Sequence, residues 1–329
     1  MPQAPSKIDE LTERAQKLFG NSWTIVKQTL ISDRFSVDIR AFGSSIEPLK
    51  DHRQPQADEP RAAQEYLFQD LAFPRLNRFT WQYADNASAL LEESKRIVPL
   101  VLNSNSDGVS TSLESDYGFW CAGSAKGPGF TCSVYRKQTA GSLIPTYIIC
   151  GDLEIASEEF HALACDVEYR KSWDDQFHAA YGSEIERKVS LVKWVVKWPW
   201  PLAPREYTYV LSPHSFQDGS RVVMSTGIMD GEGRKPLNPQ AVAVKAYFGI
   251  TASKPLKDSN GKKCRFCLYY FDDPQLPGGQ MPSWLEQYVT QRLLPSFPVK
   301  LLKGAKSYPP DRLGLFGNLS TTASHDLAS

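Results

Sequence analysis

Apolar residues recur at helical spacing in the N-terminal third of the chain. This spacing predicts a short amphipathic helix over residues 5–20 and further helices over residues 62–73 and 86–102. Residues 43–62 are polar and contain proline, which is typical of a linker. Residues 104–112 form a second polar break. The pattern therefore predicts helices and connecting segments up to this point.

The pattern becomes strand-like after residue 112. Short aromatic or β-branched runs at residues 117–123, 131–137 and 145–151 are separated by glycine-containing turns, which predicts a three-stranded antiparallel meander. Further strands are predicted over residues 189–198, 205–212, 220–229, 240–249 and 263–272.

Two helices are predicted among these strands. Residues 156–177 begin with the capping residue Ser157 and carry an apolar face, so we expect one amphipathic helix. A C-terminal helix is expected from Pro282 onward, with Pro295 and Pro298 kinking or breaking it. Residues 309–329 are expected to form a disordered tail.

This order of elements predicts an α+β fold. A curved antiparallel sheet of about eight strands would grip the C-terminal helix and enclose a cavity. We expect a partly helical N-terminal extension over residues 1–60 and one domain over residues 61–308.

Composition and charge exclude several functions. The 329 residues contain 37 Lys+Arg and 37 Asp+Glu, so no overall field attracts nucleic acid. The first 20 residues lack the apolar core of a secretory signal and contain acidic residues, unlike a mitochondrial presequence. No apolar run approaches the roughly 20 residues that span a bilayer. We expect a cytoplasmic protein.

The residues that carry catalysis or bind metals form no recognisable motif. The six cysteines are scattered, and we expect buried free thiols. Cys264 and Cys267 have CxxC spacing but fall in a predicted strand, where they face opposite ways. None of the five histidines accompanies a nucleophile motif. We therefore expect neither an enzyme nor a cofactor or metal.

Aromatic residues are concentrated at residues 191–210, LVKWVVKWPWPLAPREYTYV. Alternation along the strand turns Trp194 inward, with Lys193 and Lys197 on the outer face. The same rule places Tyr247 beside Lys245 and Gly249, opposite the apolar positions of its strand. Either a bulge shifts the register there or this face lines a polar end of the cavity.

Several motifs resemble one known family. YRKSWD (169–174), KWPWPLAPREYTYV (197–210), YYFDDP (269–274), GGQMPSWL (278–285) and LPSF (294–297) are similar to motifs of the START, or StAR-related lipid-transfer, family. VYRK (134–137) and VKAY (244–247) fit the same order. The likeness covers residues 115–308 and is closest to members that transfer phosphatidylcholine.

The resemblance implies a helix-grip fold with an apolar tunnel for one lipid, closed by a loop and the C-terminal helix. It implies that Arg170 binds the lipid phosphate and that Trp194, Tyr207 and Tyr247 form an aromatic cage around choline. Gly249 stands where the family has a glutamine at the phosphate. On the residues alone, the three aromatics could equally be core residues, and Arg170 could pair at the surface with Asp174 or Glu168.

A lipid carrier needs a lid that opens at a membrane, because each exposed CH₂ costs about 0.8 kcal/mol. We expect Trp198 or Trp200 to dock on the bilayer together with residues 284–305, which contain Trp284 and the lysines Lys300, Lys303 and Lys306. The alternative is that both loop tryptophans pack on the body.

The sequence thus predicts a non-enzymatic phosphatidylcholine carrier that contacts membranes peripherally. Phosphatidylethanolamine, ceramide or a sterol remain alternative ligands. A lipid-sensing adaptor whose residues 1–60 bind a protein partner is a further alternative, and a hydrolase is a distant third.

Overall fold

The computed structural model describes residues 84–104, 106–139, 142–186, 189–227 and 238–317. The helices predicted over residues 5–20 and 62–73 lie outside these ranges, as does the linker predicted over residues 43–62.

Two helices, α1 (Ala84–Asn103) and α2 (Ser106–Ser115), precede the sheet. α1 confirms the helix predicted over residues 86–102. The polar break predicted over residues 104–112 is wrong, because most of it belongs to α2. Val109 and Leu113 are buried one helical turn apart, and this stripe outweighs the serines around it.

Within the described ranges, ten strands form one curved sheet. Their bounds are β1 (Trp120–Gly127), β2 (Phe130–Gln138), β3 (Pro145–Leu153), β4 (Phe177–Glu186), β5 (Val189–Val196), β6 (Arg205–Ser215), β7 (Arg221–Gly227), β8 (Val242–Ala243), β9 (Ala246–Pro255) and β10 (Cys264–Asp273). The order across the sheet is β1-β2-β3-β10-β9-β7-β6-β5-β4, and neighbours on this path are antiparallel. β8 pairs parallel with β6.

The meander β1–β3 is confirmed, as are the strands predicted near β5, β6, β7 and β10. The strand predicted over residues 240–249 is wrong as one unit, because the chain is interrupted between β8 and β9. β4 was not predicted, because FHAAYGSEIE has little of the β-branched character of a strand. Its pairing with β5 outweighs local propensity.

The helix predicted over residues 156–177 is shorter than expected. α3 (Ser157–Cys165) ends before Asp166, whose carboxylate accepts the backbone N–H of Tyr169 at 3.0 Å and begins the short α4 (Val167–Arg170). The chain then turns into β4. This arrangement leaves Arg170 at the end of a helix, directly before the sheet.

The C-terminal helix consists of α5 (Ser283–Tyr288), a π-helical turn (Val289–Leu293) and α6 (Leu294–Lys306). The run contains a π-turn just before Pro295, which lies in the first turn of α6, where a missing N–H is tolerated. Pro298 lies inside α6.

The disordered tail predicted from residue 309 is wrong for its first part, because Pro310–Phe316 form α7. α7 packs on α3, and Arg312 donates to both oxygens of the buried Asp166 at 2.5 Å each. A long-range ion pair therefore orders a segment whose composition is that of a tail. Residues 318–329 lie outside the described residues.

The two faces of the sheet are covered differently. α1 packs on the outer face of β9 and β10, where Tyr269 donates to Glu93 at 2.8 Å. α3 and α6 cover the inner face, and Phe160 of α3 lies 5.9 Å from Phe266 of β10, measured between ring centroids. The inner face therefore lines the space between the sheet and the C-terminal helix.

The outer face of β5 is partly buried. Lys193 lies opposite Trp194, as alternation requires, but it is only 4% exposed. Its ammonium lies 3.1 Å from the buried carboxylate of Glu206 on β6. Lys197 is exposed.

Candidate functional site

A cavity lies between the inner face of the sheet and helices α4, α5 and α6. It contains about 1360 Å³ of space not filled by atoms, part of which opens to solvent. Its apolar side chains include Leu163, Leu268, Leu293, Phe297 and Leu301. Its polar and aromatic groups are gathered where β5, β6 and β9 meet α4. The cavity thus has an apolar part and a part with fixed charges.

The three predicted cage aromatics come together in this cavity. Trp194 and Tyr207 are directly opposed on β5 and β6, with ring centroids 5.7 Å apart. Tyr247 on β9 lies 5.4 Å from Tyr207 and 6.3 Å from Trp194. All three are buried. These separations are those of packed aromatic pairs, so residues far apart in sequence form one cluster.

Tyr209 is a fourth ring that the sequence reasoning missed. Its centroid lies 5.0 Å from that of Trp194 and 5.1 Å from that of Tyr247. Strand alternation could have found it, because Tyr207 and Tyr209 are two positions apart on one strand and must share a face.

Tyr247 lies on the cavity face together with Gly249 and Thr251. Phe248 points to the opposite face and packs against Tyr269. Of the two readings left open by the sequence, a polar end of the cavity is therefore the observed one. No bulge is needed, because both faces of β9 are covered: Phe248 lies on the side that α1 packs against, and Tyr247 lines the cavity.

Arg170 lies at the edge of the aromatic cluster. The central carbon of its guanidinium is 4.8 Å from the Trp194 ring centroid and 4.5 Å from that of Phe177. Its Nε is 3.3 Å from Oδ2 of Asp174. Pairing with Asp174 and proximity to the cage, which the sequence treated as alternatives, therefore occur together. The site holds a fixed positive charge against an aromatic face.

Lys300 is also in the cavity, although the sequence grouped it with the membrane-facing lysines. Its Nζ lies 3.2 Å from Asp174 and 2.7 Å from Asp175. The hydrogen bond from Lys300 lowers the pKa of Asp175. Asp174 thus joins a cation of α4 to a cation of the C-terminal helix.

Asp272 forms an acidic end of the same site. Its Oδ2 accepts a hydrogen bond from the Tyr207 hydroxyl at 2.6 Å, and Tyr270 hydrogen-bonds to the same carboxyl. Burial raises the pKa of Asp272 to about 6, although both hydroxyls oppose the shift. Burial also raises the pKa of Tyr207, so its hydroxyl stays protonated. The sequence reasoning quoted Asp272 only as part of a motif.

Gly249 leaves room that Tyr247 uses. A Cβ atom at position 249 would lie 3.1 Å from the Tyr247 hydroxyl and 3.9 Å from Cβ of Ser225. A side chain here would have to push the phenol aside. The place expected for a glutamine side chain is therefore next to the hydroxyl of a cage tyrosine.

The predicted lid residues differ in exposure. Trp200 is 90% exposed at the tip of the β5–β6 loop, and Trp284 is 45% exposed on α5. Trp198 instead lines the cavity, with the Arg205 guanidinium 4.9 Å from its ring centroid. Trp198 is partly buried and packs against the core, and membrane contact by either loop tryptophan stays a prediction.

The six cysteines are free thiols, and five of them are buried. Cys121 is the exposed exception. Burial raises the pKa of the Cys132 thiol to about 12. Within the described ranges, no group of three or more His, Cys, Asp or Glu side chains is arranged to hold a metal ion. No helix in these ranges is long and apolar enough to cross a bilayer.

Comparison with known proteins places these features in context. The START domain matches residues 105–310, which include α2. The bovine phosphatidylcholine transfer protein is 30% identical over 179 residues, covering 54% of this chain and 80% of that protein. The human mitochondrial StAR-related lipid transfer protein 7 is 25% identical over 173 residues, covering 51% of this chain and 45% of that protein.

Among solved structures, human STARD10 is 18% identical to this chain. The match covers 63% of this chain and 82% of the STARD10 chain, with a TM-score of 0.47.

Proposed function

The chain belongs to the START domain family, and on this premise we propose that it binds one phosphatidylcholine and carries it between membranes without altering it chemically. The observation that carries the proposal is the cluster of Trp194, Tyr207 and Tyr247 beside Arg170 in one cavity. The similarity to phosphatidylcholine transfer proteins supports the same ligand.

Choline explains why aromatic faces are gathered here. A quaternary ammonium has no N–H to donate, so hydrogen bonds cannot select it. Aromatic faces attract it by about 0.5–2 kcal/mol for each ring, and more where water is excluded. The rings of Trp194, Tyr207 and Tyr247 are buried and come from three strands. They would hold the cation without a dedicated ion pair.

The phosphate would lie against the cations at the edge of the cage. The Arg170 guanidinium can grip two phosphate oxygens at once, and such charge-assisted bonds are stronger than neutral ones. The indole N–H of Trp194 is buried and has no hydrogen-bond partner among the described residues. It is a donor for a phosphate oxygen. Lys300 would add a second positive charge from the C-terminal helix.

The acyl chains would occupy the apolar part of the cavity. At about 0.8 kcal/mol per CH₂, a carrier must enclose both chains until it reaches a bilayer. The β5–β6 loop and the run from α5 to α6 are the segments that would open. Trp200 and Trp284 are exposed on these two segments, and tryptophan favours the membrane interface. We therefore expect peripheral contact with cytoplasmic membrane surfaces.

Native mass spectrometry of the full chain, incubated with a mixed-lipid extract, tests this function. We expect one phosphatidylcholine per chain and transfer of labelled phosphatidylcholine between vesicles. A sterol or ceramide bound at one per chain would show that phosphatidylcholine is not the ligand, but the chain would still be a lipid binder of the START type. Phosphatidylcholine bound without transfer would favour a lipid-sensing adaptor, for which residues 1–60 are the expected partner-binding segment. Water-soluble products of lipid cleavage would contradict a carrier.

A further inference from the structure

Asp272 is a buried acidic side chain directly behind the aromatic cluster. It lies on the inner face of β10, is 4% exposed, and accepts the Tyr207 hydroxyl at 2.6 Å. Tyr270 hydrogen-bonds to the same carboxyl from the same strand. None of the ion pairs found among the described residues includes Asp272. Its hydrogen-bond partners are therefore hydroxyl groups rather than a cation.

The charged and titratable groups around this carboxyl do not cancel its charge. Arg205 of β6 attracts it, but the guanidinium is hydrogen-bonded to the carbonyls of Pro274, at 2.6 Å, and Ala203. Asp273, the next residue of β10, repels it. The neighbouring phenols, raised in pKa by burial, are neutral at physiological pH; they are Tyr147, Tyr207, Tyr247 and Tyr270.

We propose that Asp272 is a specificity-determining residue, whose carboxylate makes the aromatic cluster favour lipids with a positively charged head group over lipids with an uncharged or anionic one. The inference rests on the proposed function and adds a source of selectivity that cation–π attraction does not supply. The hydroxyl of Tyr207 donates to the carboxylate, so the phenol ring becomes richer in electrons. The ring and the charge behind it then act on the cation in the same direction.

The expected effect follows from distance. A cation held within about 6 Å of the Tyr207 ring centroid would lie about 8 Å from the carboxylate bonded to its hydroxyl. At this separation, and at the effective dielectric constant of about 20 found for proteins, the attraction between opposite unit charges raises the affinity for the lipid by about tenfold or more. A head group without the cation would lose this factor.

Proton linkage gives a test that needs no mutation. Burial raises the pKa of Asp272 to about 6, so the carboxylate is ionised at neutral pH and becomes protonated as the pH falls below this value. Selectivity for a cationic head group should therefore be present above about pH 6 and be lost below it. By reciprocity, a bound cation should lower the pKa of Asp272.

The experiment compares the affinity of the full chain for phosphatidylcholine and for phosphatidylglycerol with identical acyl chains. Both carry the phosphate, and only phosphatidylcholine carries the cation, so the ratio of affinities isolates the effect. We expect this ratio to fall about tenfold in the unaltered protein between about pH 7.5 and pH 5. Asp272→Asn should have the low ratio at both pH values. Asp152→Asn, a carboxyl on the outer face paired with Arg265, should behave like the unaltered protein.

A ratio that does not change with pH in the unaltered protein, or that survives in Asp272→Asn, would overturn the role of Asp272. The pH comparison decides this even if Asp272→Asn fails to fold. No binding of phosphatidylcholine at neutral pH would instead contradict the proposed function, so the two failures are distinguishable.

Discussion

Replacing Arg170 with methionine should separate lipid binding from folding. Hydrogen bonds to charged groups contribute about 1.5–3 kcal/mol, and each 1.4 kcal/mol is a factor of ten in affinity. Loss of the guanidinium should therefore weaken phosphatidylcholine binding by about 10- to 100-fold. Methionine keeps an unbranched apolar side chain but lacks the guanidinium, which lies over the rings of Trp194 and Phe177, so the change removes mainly charge.

The loss of folding stability should be small by comparison. Removing one member of a buried ion pair costs about 3–5 kcal/mol when it leaves the other charge alone. Asp174 is not left alone, because Lys300 remains 3.2 Å from its carboxylate. The remaining loss is the cation–π contacts, about 1–2 kcal/mol in total. At about 2–4 °C per kcal/mol for a domain of this size, Tm should fall by no more than about 8 °C.

Binding of a fluorescent phosphatidylcholine, followed by titration, measures the first quantity, and thermal unfolding measures the second. Arg265→Met is a matched control, because Arg265 also pairs with a carboxylate but lies on the outer face of the sheet. It should leave lipid affinity unchanged. If Arg170→Met binds phosphatidylcholine as tightly as Arg265→Met does, Arg170 is not the phosphate ligand.

Three other changes test the lid, the sheet and the C-terminal segment. Trp200→Ala should slow transfer between vesicles more than it weakens lipid binding in solution, because the side chain is exposed in the β5–β6 loop; equal transfer rates would contradict membrane docking. Gly151→Ala should lower the free energy of unfolding by about 3 kcal/mol or more, seen as a lower denaturation midpoint, because its Cβ would lie 1.9 Å from the Thr131 carbonyl oxygen. Arg312→Met should lower it by about 1–3 kcal/mol, since the buried Asp166 loses its cation while Arg312 itself is partly exposed; an unchanged midpoint would show that this ion pair does not stabilise the fold.

Each of these changes has a control on the same chain. Leu315→Ala removes another exposed apolar side chain, on α7 rather than on the lid, and should leave transfer unchanged. Gly108→Ala places a Cβ in open space within α2, so it should not destabilise. Arg312→Lys keeps the positive charge and should recover part of the loss.

The sequence was most informative where structure depends on neighbouring residues. Alternation turned Trp194 inward, and the turn residues between short apolar runs defined the meander β1–β3. Both signals are local, since strand alternation and turn chemistry act over a few residues. The aromatic cluster required more, because Tyr247 reaches the other rings only through the pairing of β9 with β7. The family motifs supplied that long-range information.

Several features that the local pattern did not show share one cause, which is an ionic partner distant in sequence. Alternation placed Lys193 on the outer face of β5, but it did not show that Glu206 neutralises the ammonium in the interior. α7 was expected to be disordered, but Asp166 anchors it through Arg312. Lys300 was expected to face a membrane, but Asp174 draws it into the cavity. In each case an ionic partner outweighs the local pattern, and no periodicity reports such a partner.

The carboxylate of Asp174, shared by Arg170 and Lys300, has a consequence for how the carrier leaves a membrane. A phosphate that engages both cations would hold α4 and the C-terminal helix together through the cargo itself. Coupling between two events is reciprocal. If lipid binding stabilises the closed arrangement of these helices by some free energy, closure therefore strengthens lipid binding by the same amount. A chain that has taken up its lipid should then detach from the bilayer sooner than an empty one, so that residence time on the membrane depends on cargo.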